Sequence, residues 1–144
     1  MDAGEFQRFV FAQDEVLSEV EAELADGRKR THWMWFVFPQ IAGLGHSQMA
    51  SLYAIGDLAQ ARRYLADAMV GERLRRHVRL MLRHEDRTAH AILGAPDDLK
   101  FRSCLTLFSA AASSPEDASL FRQGLQTFYG GEPDPATLRL LQSR

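Results

Sequence analysis

The run His32, Trp33, Met34, Trp35, Phe36, Val37, Phe38, Pro39, Gln40 gathers the residues of this chain best suited to chemistry. It holds both tryptophans, and Arg28, Lys29 and Arg30 precede it. A histidine can act as general acid or base, or donate to a substrate oxygen. An indole can stack on a flat ring, and aromatic walls with a few polar groups line small-molecule pockets. A structural reading stands beside this one. Each buried aromatic stabilises a fold by about 2–3 kcal/mol. A buried histidine can rest on a backbone carbonyl. For His32, Trp33, Trp35 and Gln40 both readings stay open.

Two further groups carry polar chemistry. Gly43, Gly45, His46 and Ser47 form a glycine-rich loop that opens a helix at Ser47. Such a loop can offer backbone N–H groups to an anion, or be an ordinary turn and cap. Asp98, Lys100, Ser103 and Thr106 interrupt an otherwise apolar helix, the last three at a spacing that shares one face. A polar ridge of this kind must be hydrogen-bonded or wet. Lys100 there suits an anion, and Asp98 suits either a base or a helix-dipole partner. Phe36 and Tyr53 complete the candidate ligand-binding set. Cys104 reads as a small core hydrophobe, and His84 and His90 read as surface residues.

The elements that must position these groups are helical. Phe6, Phe9, Val10, Val16, Val20 and Leu24 recur at helical spacing across 3–25, with acids on the other face and Gly27 as the stop. Residues 31–38 are ambiguous between helix and strand, with Thr31 a potential cap and Pro39 the end. Ser47 starts a short helix to about 55, and Asp57 caps the next. A helix over 70–84 has Leu74, Val78, Met81 and Leu82 inward and five arginines mostly outward. Thr88, Pro96, Ser114 and Asp134 mark four more starts. The expectation is one mainly α domain over 1–144, with room for one or two short strands.

Composition narrows the function classes. The chain has 144 residues, 46% hydrophobic and 25% charged, with a net charge of −2. That balance provides no general field for nucleic acid, so a nucleic-acid partner is disfavoured even with the arginines at 73, 75, 76, 79 and 83. The single cysteine precludes an intramolecular disulfide. An acidic N-terminus without an apolar stretch reads as no export signal, and no run is long enough for a membrane span. A cytoplasmic protein is the default expectation. No phosphate-loop, dinucleotide, zinc or nucleophile-elbow pattern occurs, so no cofactor and no metal are expected.

The segments His32 to Gln40, Gly43-Leu44-Gly45-His46-Ser47, Tyr53-Ala54-Ile55, Asp97 to Ser103 and Thr106-Leu107-Phe108, with Gly130-Gly131, Asp134 and Thr137-Leu138, resemble a family of small uncharacterised bacterial proteins often mislabelled calpastatin. That family is similar in fold to the YbiA-like, or NADAR, superfamily. The resemblance implies a compact helical domain and N-glycosidic chemistry on nucleotide-like or ADP-ribose-like ligands. It implies Trp33 or Trp35 as the base-stacking wall, Arg28, Lys29 and Lys100 as phosphate partners, and His32 or Asp98 as proton-transfer groups. The superfamily typically carries a glutamate where this chain has His46, Ser47 and Gln48. Two functions follow as expectations. One is a ligand-binding N-glycosidase with His32, Asp98 and Lys100 as catalytic residues. The other is a non-catalytic binding or protein-interaction module using the same pocket.

Overall fold

The structure, a computed structural model, describes residues 4–144. Nine helices account for its regular structure among the described residues. The first, α1 (Gln7–Asp26), buries Phe9, Val20 and Leu24, and also Gln13 and Glu23. All five lie on one helical stripe. Gly27, at φ 74°, closes the helix on the carbonyls of Glu23 and Leu24. Residue 3, where this helix was expected to begin, lies outside the described residues.

There follow α2 (Met34–Val37), α3 (Gln48–Leu52), α4 (Leu58–Ala66), α5 (Val70–Leu82), α6 (Ala89–Leu93), α7 (Asp97–Ala111), α8 (Pro115–Tyr129) and α9 (Pro135–Gln142). Five starts are capped by side chains. Ser47, Asp57, Thr88, Ser114 and Asp134 accept from the amides of Ala50, Gln60, Ala91, Asp117 and Thr137. Each such cap is worth about 1 kcal/mol.

The arrangement centres on α7. Its Phe101, Cys104, Leu105, Leu107, Phe108 and Ala111 are buried around most of its circumference. A helix apolar on nearly all sides must be enclosed, and α4, α6, α8 and α9 pack around it. The second layer is α1 against α5, with α2 beside α1 and α5 reaching α4 and α8. Tyr64 joins the layers, its ring 5.1 Å from Phe6, 5.3 Å from Phe9 and 5.3 Å from Phe108. Burial pushes its phenol pKa up, so it stays neutral. Gln13 ties α1 to α2 by donating to the carbonyl of Phe36 at 2.7 Å.

The junction of α4 and α5 depends on a missing side chain. A Cβ at Gly71 would stand 2.5 Å from the carbonyl oxygen of Leu65, which is backbone and cannot rotate away. Gly71→Ala is therefore expected to cost about 1–3 kcal/mol through forced displacement of the two helices. Urea unfolding of the variant measures this directly.

The structure departs from the sequence expectations at several places. Residues 31–38 are neither a full helix nor a strand; only 34–37 are helical. Thr31 does not cap that helix, because its hydroxyl donates to Glu23 instead. The helix after Ser47 stops at Leu52 rather than near 55, because the chain turns into a parallel bridge between Ile41 and Ile55. That bridge is all the β structure among the described residues, so the one or two short strands are absent there. Arg75, one of five arginines expected mostly outward, grips buried Asp117 with two hydrogen bonds of 2.7 and 3.0 Å.

Candidate functional site

The aromatic run is shaped from upstream, by Glu23 on α1. This carboxylate is 4% exposed. It accepts the backbone N–H of Arg30 at 2.8 Å and of Thr31 at 3.1 Å, the Thr31 hydroxyl at 2.7 Å and the Trp33 indole N–H at 2.9 Å. Burial alone would raise its pKa. The four donors outweigh that and hold the carboxyl down to about 2. Trp33 is thereby fixed as a wholly buried core residue. The single turn of α2 then sends Phe36 and Val37 inward and leaves Trp35 half-buried.

Phe38 packs at a tilt against Phe101 of α7, ring centroids 4.7 Å apart, and anchors the turn at Pro39. Beyond it the chain is held by the bridge. The N–H of Ile55 donates to the carbonyl of Gln40 at 2.9 Å, and that of Ala42 to Ile55 at 2.8 Å. Gly43 turns the chain at φ 105°, a conformation that favours glycine. Gly45 lets the loop close onto α3, since a Cβ there would lie 2.6 Å from that of Ala50. The result is a cleft of about 150 Å³ whose walls include Trp35, Gln40, Gly43, Gly45, Ser51 and Tyr53. Among the described residues, the side chains of Gln40, Ser51 and Tyr53, all on the cleft lining, make no hydrogen bond to the protein.

A charged group lies over the ring of Trp35, one of the walls of the cleft. The Lys100 ammonium sits 5.7 Å from the centroid of the Trp35 ring. It is 3.8 Å from Asp97, a loose pair. Asp97 is held more closely by Lys29, at 3.0 Å. Lys29 itself is nearly hidden, its side chain 7% exposed. It donates to the Thr31 carbonyl at 2.5 Å and lies 5.0 Å from the Trp33 ring centroid. Next along α7, Asp98 lies 3.5 Å from the Nδ1 of His90, and its carbonyl accepts the Tyr129 hydroxyl. Burial raises the pKa of that tyrosine.

Five of the candidate residues thus meet on one cleft, namely Trp35, Gln40, Gly43, Gly45 and Tyr53, with Lys100 beside them. The others lie elsewhere. Trp33 and Phe36 are core. Ser47 caps α3 and faces the adjoining surface groove. Ser103 and Thr106 hold the start of α9. The Ser103 hydroxyl lies 3.3 Å from the Asp134 carboxylate, and Thr106 accepts the Asp134 amide at 2.8 Å. Arg28 and His32 are exposed, and Arg28 closes α1 through its own amide.

The sequence reading set Glu23 among the acids on the outer face of the first helix, whereas the structure buries it, and it took Asp97 only as an acid in the first turn of α7. For Glu23 a signal existed. It falls between Val20 and Leu24 on the apolar stripe, as Gln13 does further up, and a polar residue on such a stripe must have partners. No local signal pairs Asp97 with Lys29. Among the described residues no cluster of histidine, cysteine or acidic groups could hold a metal ion. No described helix is long and apolar enough to cross a membrane. Cys104 is buried, with its thiol pKa pushed up by desolvation, which disfavours the reactive thiolate.

The chain is similar to a solved structure, that of the conserved hypothetical protein Rv1873 from Mycobacterium tuberculosis. The two share 43% identity at a TM-score of 0.92, over 98% of this chain and 99% of that one. None of the curated proteins matches. The family described as "Protein of unknown function (DUF1810)" matches residues 3–141. These findings correct the resemblance read from the motifs. The matches lead to a family of unknown function and a hypothetical protein, and neither indicates YbiA-like or NADAR membership. The expectation of N-glycosidic chemistry loses the support it drew from that superfamily. With nearly its whole length matched, the chain belongs to the DUF1810 family of proteins of unknown function.

Proposed function

We propose that the Trp35 cleft binds a small, planar, nucleotide-like molecule and does not cleave it. The observation that carries this reading is convergence. Segments 35–45 and 50–54, brought together by the bridge of Ile41 with Ile55, place an aromatic wall, two glycines and unpaired polar side chains around one small cleft. Lys100 adds a cation at its border. Apolar walls with a few convergent polar groups are the usual make-up of a ligand site.

The described lining favours binding over hydrolysis. Cleaving an N-glycosidic bond develops positive charge on the sugar, which a nearby carboxylate would stabilise. No acid is among the residues that wall the cleft. Asp97 is engaged by two lysines, and Asp98 by His90 and the first turn of α7. A second reading, a protein-interaction module, draws on Phe11 and Leu52. They are 63% and 51% exposed beside the grooves that flank α3.

A thermal-shift panel of ADP-ribose, NAD, GMP, GTP and pyrimidine nucleotides separates the two. A ligand at a hundred times its dissociation constant adds about 2.7 kcal/mol, on the order of 5–10 °C for this chain length. The expected result is a shift with at least one compound that disappears in Trp35→Ala and Lys100→Ala. Both are half-buried, so each variant should remain folded. A shift that survives both substitutions would remove this cleft from consideration.

A further inference from the structure

Size and charge narrow the ligand further, on the assumption that the cleft is the binding site. We infer that it takes a single six-membered aromatic heterocycle carrying a carboxylate, with the ring against Trp35 and the carboxylate on Lys100. The cleft has a volume of about 150 Å³. A cavity of about that size accommodates one benzene-sized ring. A pyrimidine or pyridine ring fills it, whereas a fused bicyclic base extends into its open mouth.

The polar groups suit the edge of such a ring. Gln40 can both donate and accept, and the Ser51 and Tyr53 hydroxyls can do the same. All three are on the cleft wall without protein partners among the described residues. The heterocycle thus has donors and acceptors to meet, which a purely hydrocarbon ring does not.

The position of Lys100 sets the anionic substituent. Its ammonium has three donors, and its one ion pair, to Asp97, is loose at 3.8 Å. Lys29 holds Asp97 at 3.0 Å from the other side. Asp97 therefore remains neutralised if Lys100 turns to a ligand. The three groups sum to one positive charge, which one carboxylate balances. At 5.7 Å from the Trp35 ring centroid, the ammonium is within a ring's breadth of that wall. A carboxylate attached directly to the ring spans this distance. A phosphate carried on a ribose extends well beyond it.

Tryptophan fluorescence tests the proposal. The chain has two tryptophans, and Trp35→Phe leaves only buried Trp33 as background. The probes are orotate, uracil, UMP and adenine, titrated into wild type, Trp35→Phe, Lys100→Gln and Lys100→Arg. The expected result is quenching by orotate that is lost in Trp35→Phe. Orotate should bind about tenfold more tightly than uracil, because a charge-assisted hydrogen bond is roughly twice as strong as a neutral one. Lys100→Gln should bring orotate down to the uracil level, and Lys100→Arg should largely restore it. Equal binding of orotate and uracil would overturn the carboxylate assignment and leave the cleft as a ring site. UMP tighter than orotate would place the anion on a sugar phosphate and overturn it too. Adenine as tight as orotate would overturn the ring size. If none of the four alters Trp35 emission, both this inference and the cleft reading it rests on fail together.

Discussion

Glu23→Ala should be among the most damaging single substitutions in the chain, costing about 3–5 kcal/mol of stability. The loss does not come from α1, whose helix propensity alanine would improve. It comes from four donors that share one buried carboxylate, namely the amides of Arg30 and Thr31, the Thr31 hydroxyl and the Trp33 indole. Removing the carboxylate strands the wholly buried Trp33 indole N–H, which is costly, and releases the three part-buried donors that hold 30–31 against α1. The same network makes a pH prediction. The Glu23 carboxyl is held at about 2 against an ordinary 4.5. Its folded form therefore prefers the charged state, and the difference is worth about 3 kcal/mol. That contribution is fully present above pH 4.5 and is lost as pH falls through 2. Chemical denaturation across pH 2–7 should show wild-type stability declining on the acid side, and Glu23→Gln should flatten that decline.

The second large effect separates two residues that are nearly adjacent. Trp33→Ala should lower stability by about 3–5 kcal/mol, the usual cost of truncating a buried aromatic to alanine. Trp33 is fully buried, 6.2 Å from Phe38, and satisfies Glu23. Trp35→Ala should cost less stability, because Trp35 is only half-buried at the cleft, yet it should abolish ligand binding. The account thus predicts opposite signatures from two residues two positions apart. Stability is lost without a specific binding defect at 33, and binding is lost in a stable protein at 35. A cycle combining Glu23→Gln with Trp33→Phe should be non-additive, because the two side chains form one hydrogen bond.

The contrast shows what local sequence can and cannot carry. The cap residues Ser47, Asp57, Thr88, Ser114 and Asp134 were legible, because a cap is a side-chain oxygen reaching an amide three residues on. The enclosure of α7 was legible from its apolar residues. The conformation of 31–38 was not. A four-residue helix has too little length to show a period, and its entry is set by a carboxylate on a different helix. For the same reason the roles of Trp33 and Trp35 could not be told apart. Ser103 and Thr106 were expected on one face with Lys100, but they meet Asp134, about thirty residues away, whereas Lys100 meets Asp97 and Trp35. The arrangement of Lys29, Asp97 and Lys100 is likewise a product of tertiary packing. The glycines and Gln40 marked the neighbourhood of the cleft. Tyr53 marked its other wall, whose remaining members, Ala50, Ser51 and Ala54, became visible only once the bridge of Ile41 with Ile55 was seen.

The most direct test of the central claim is amide chemical-shift mapping of the whole chain during titration with orotate and the nucleotide panel. The account predicts that perturbations concentrate at the amides of 40–45 and 50–54 and at the Trp35 indole, while the Trp33 indole stays on Glu23 and barely moves. Perturbations centred instead on the Arg62 and Ser114 cleft, or on the groove at Phe11 and Val16, would contradict it.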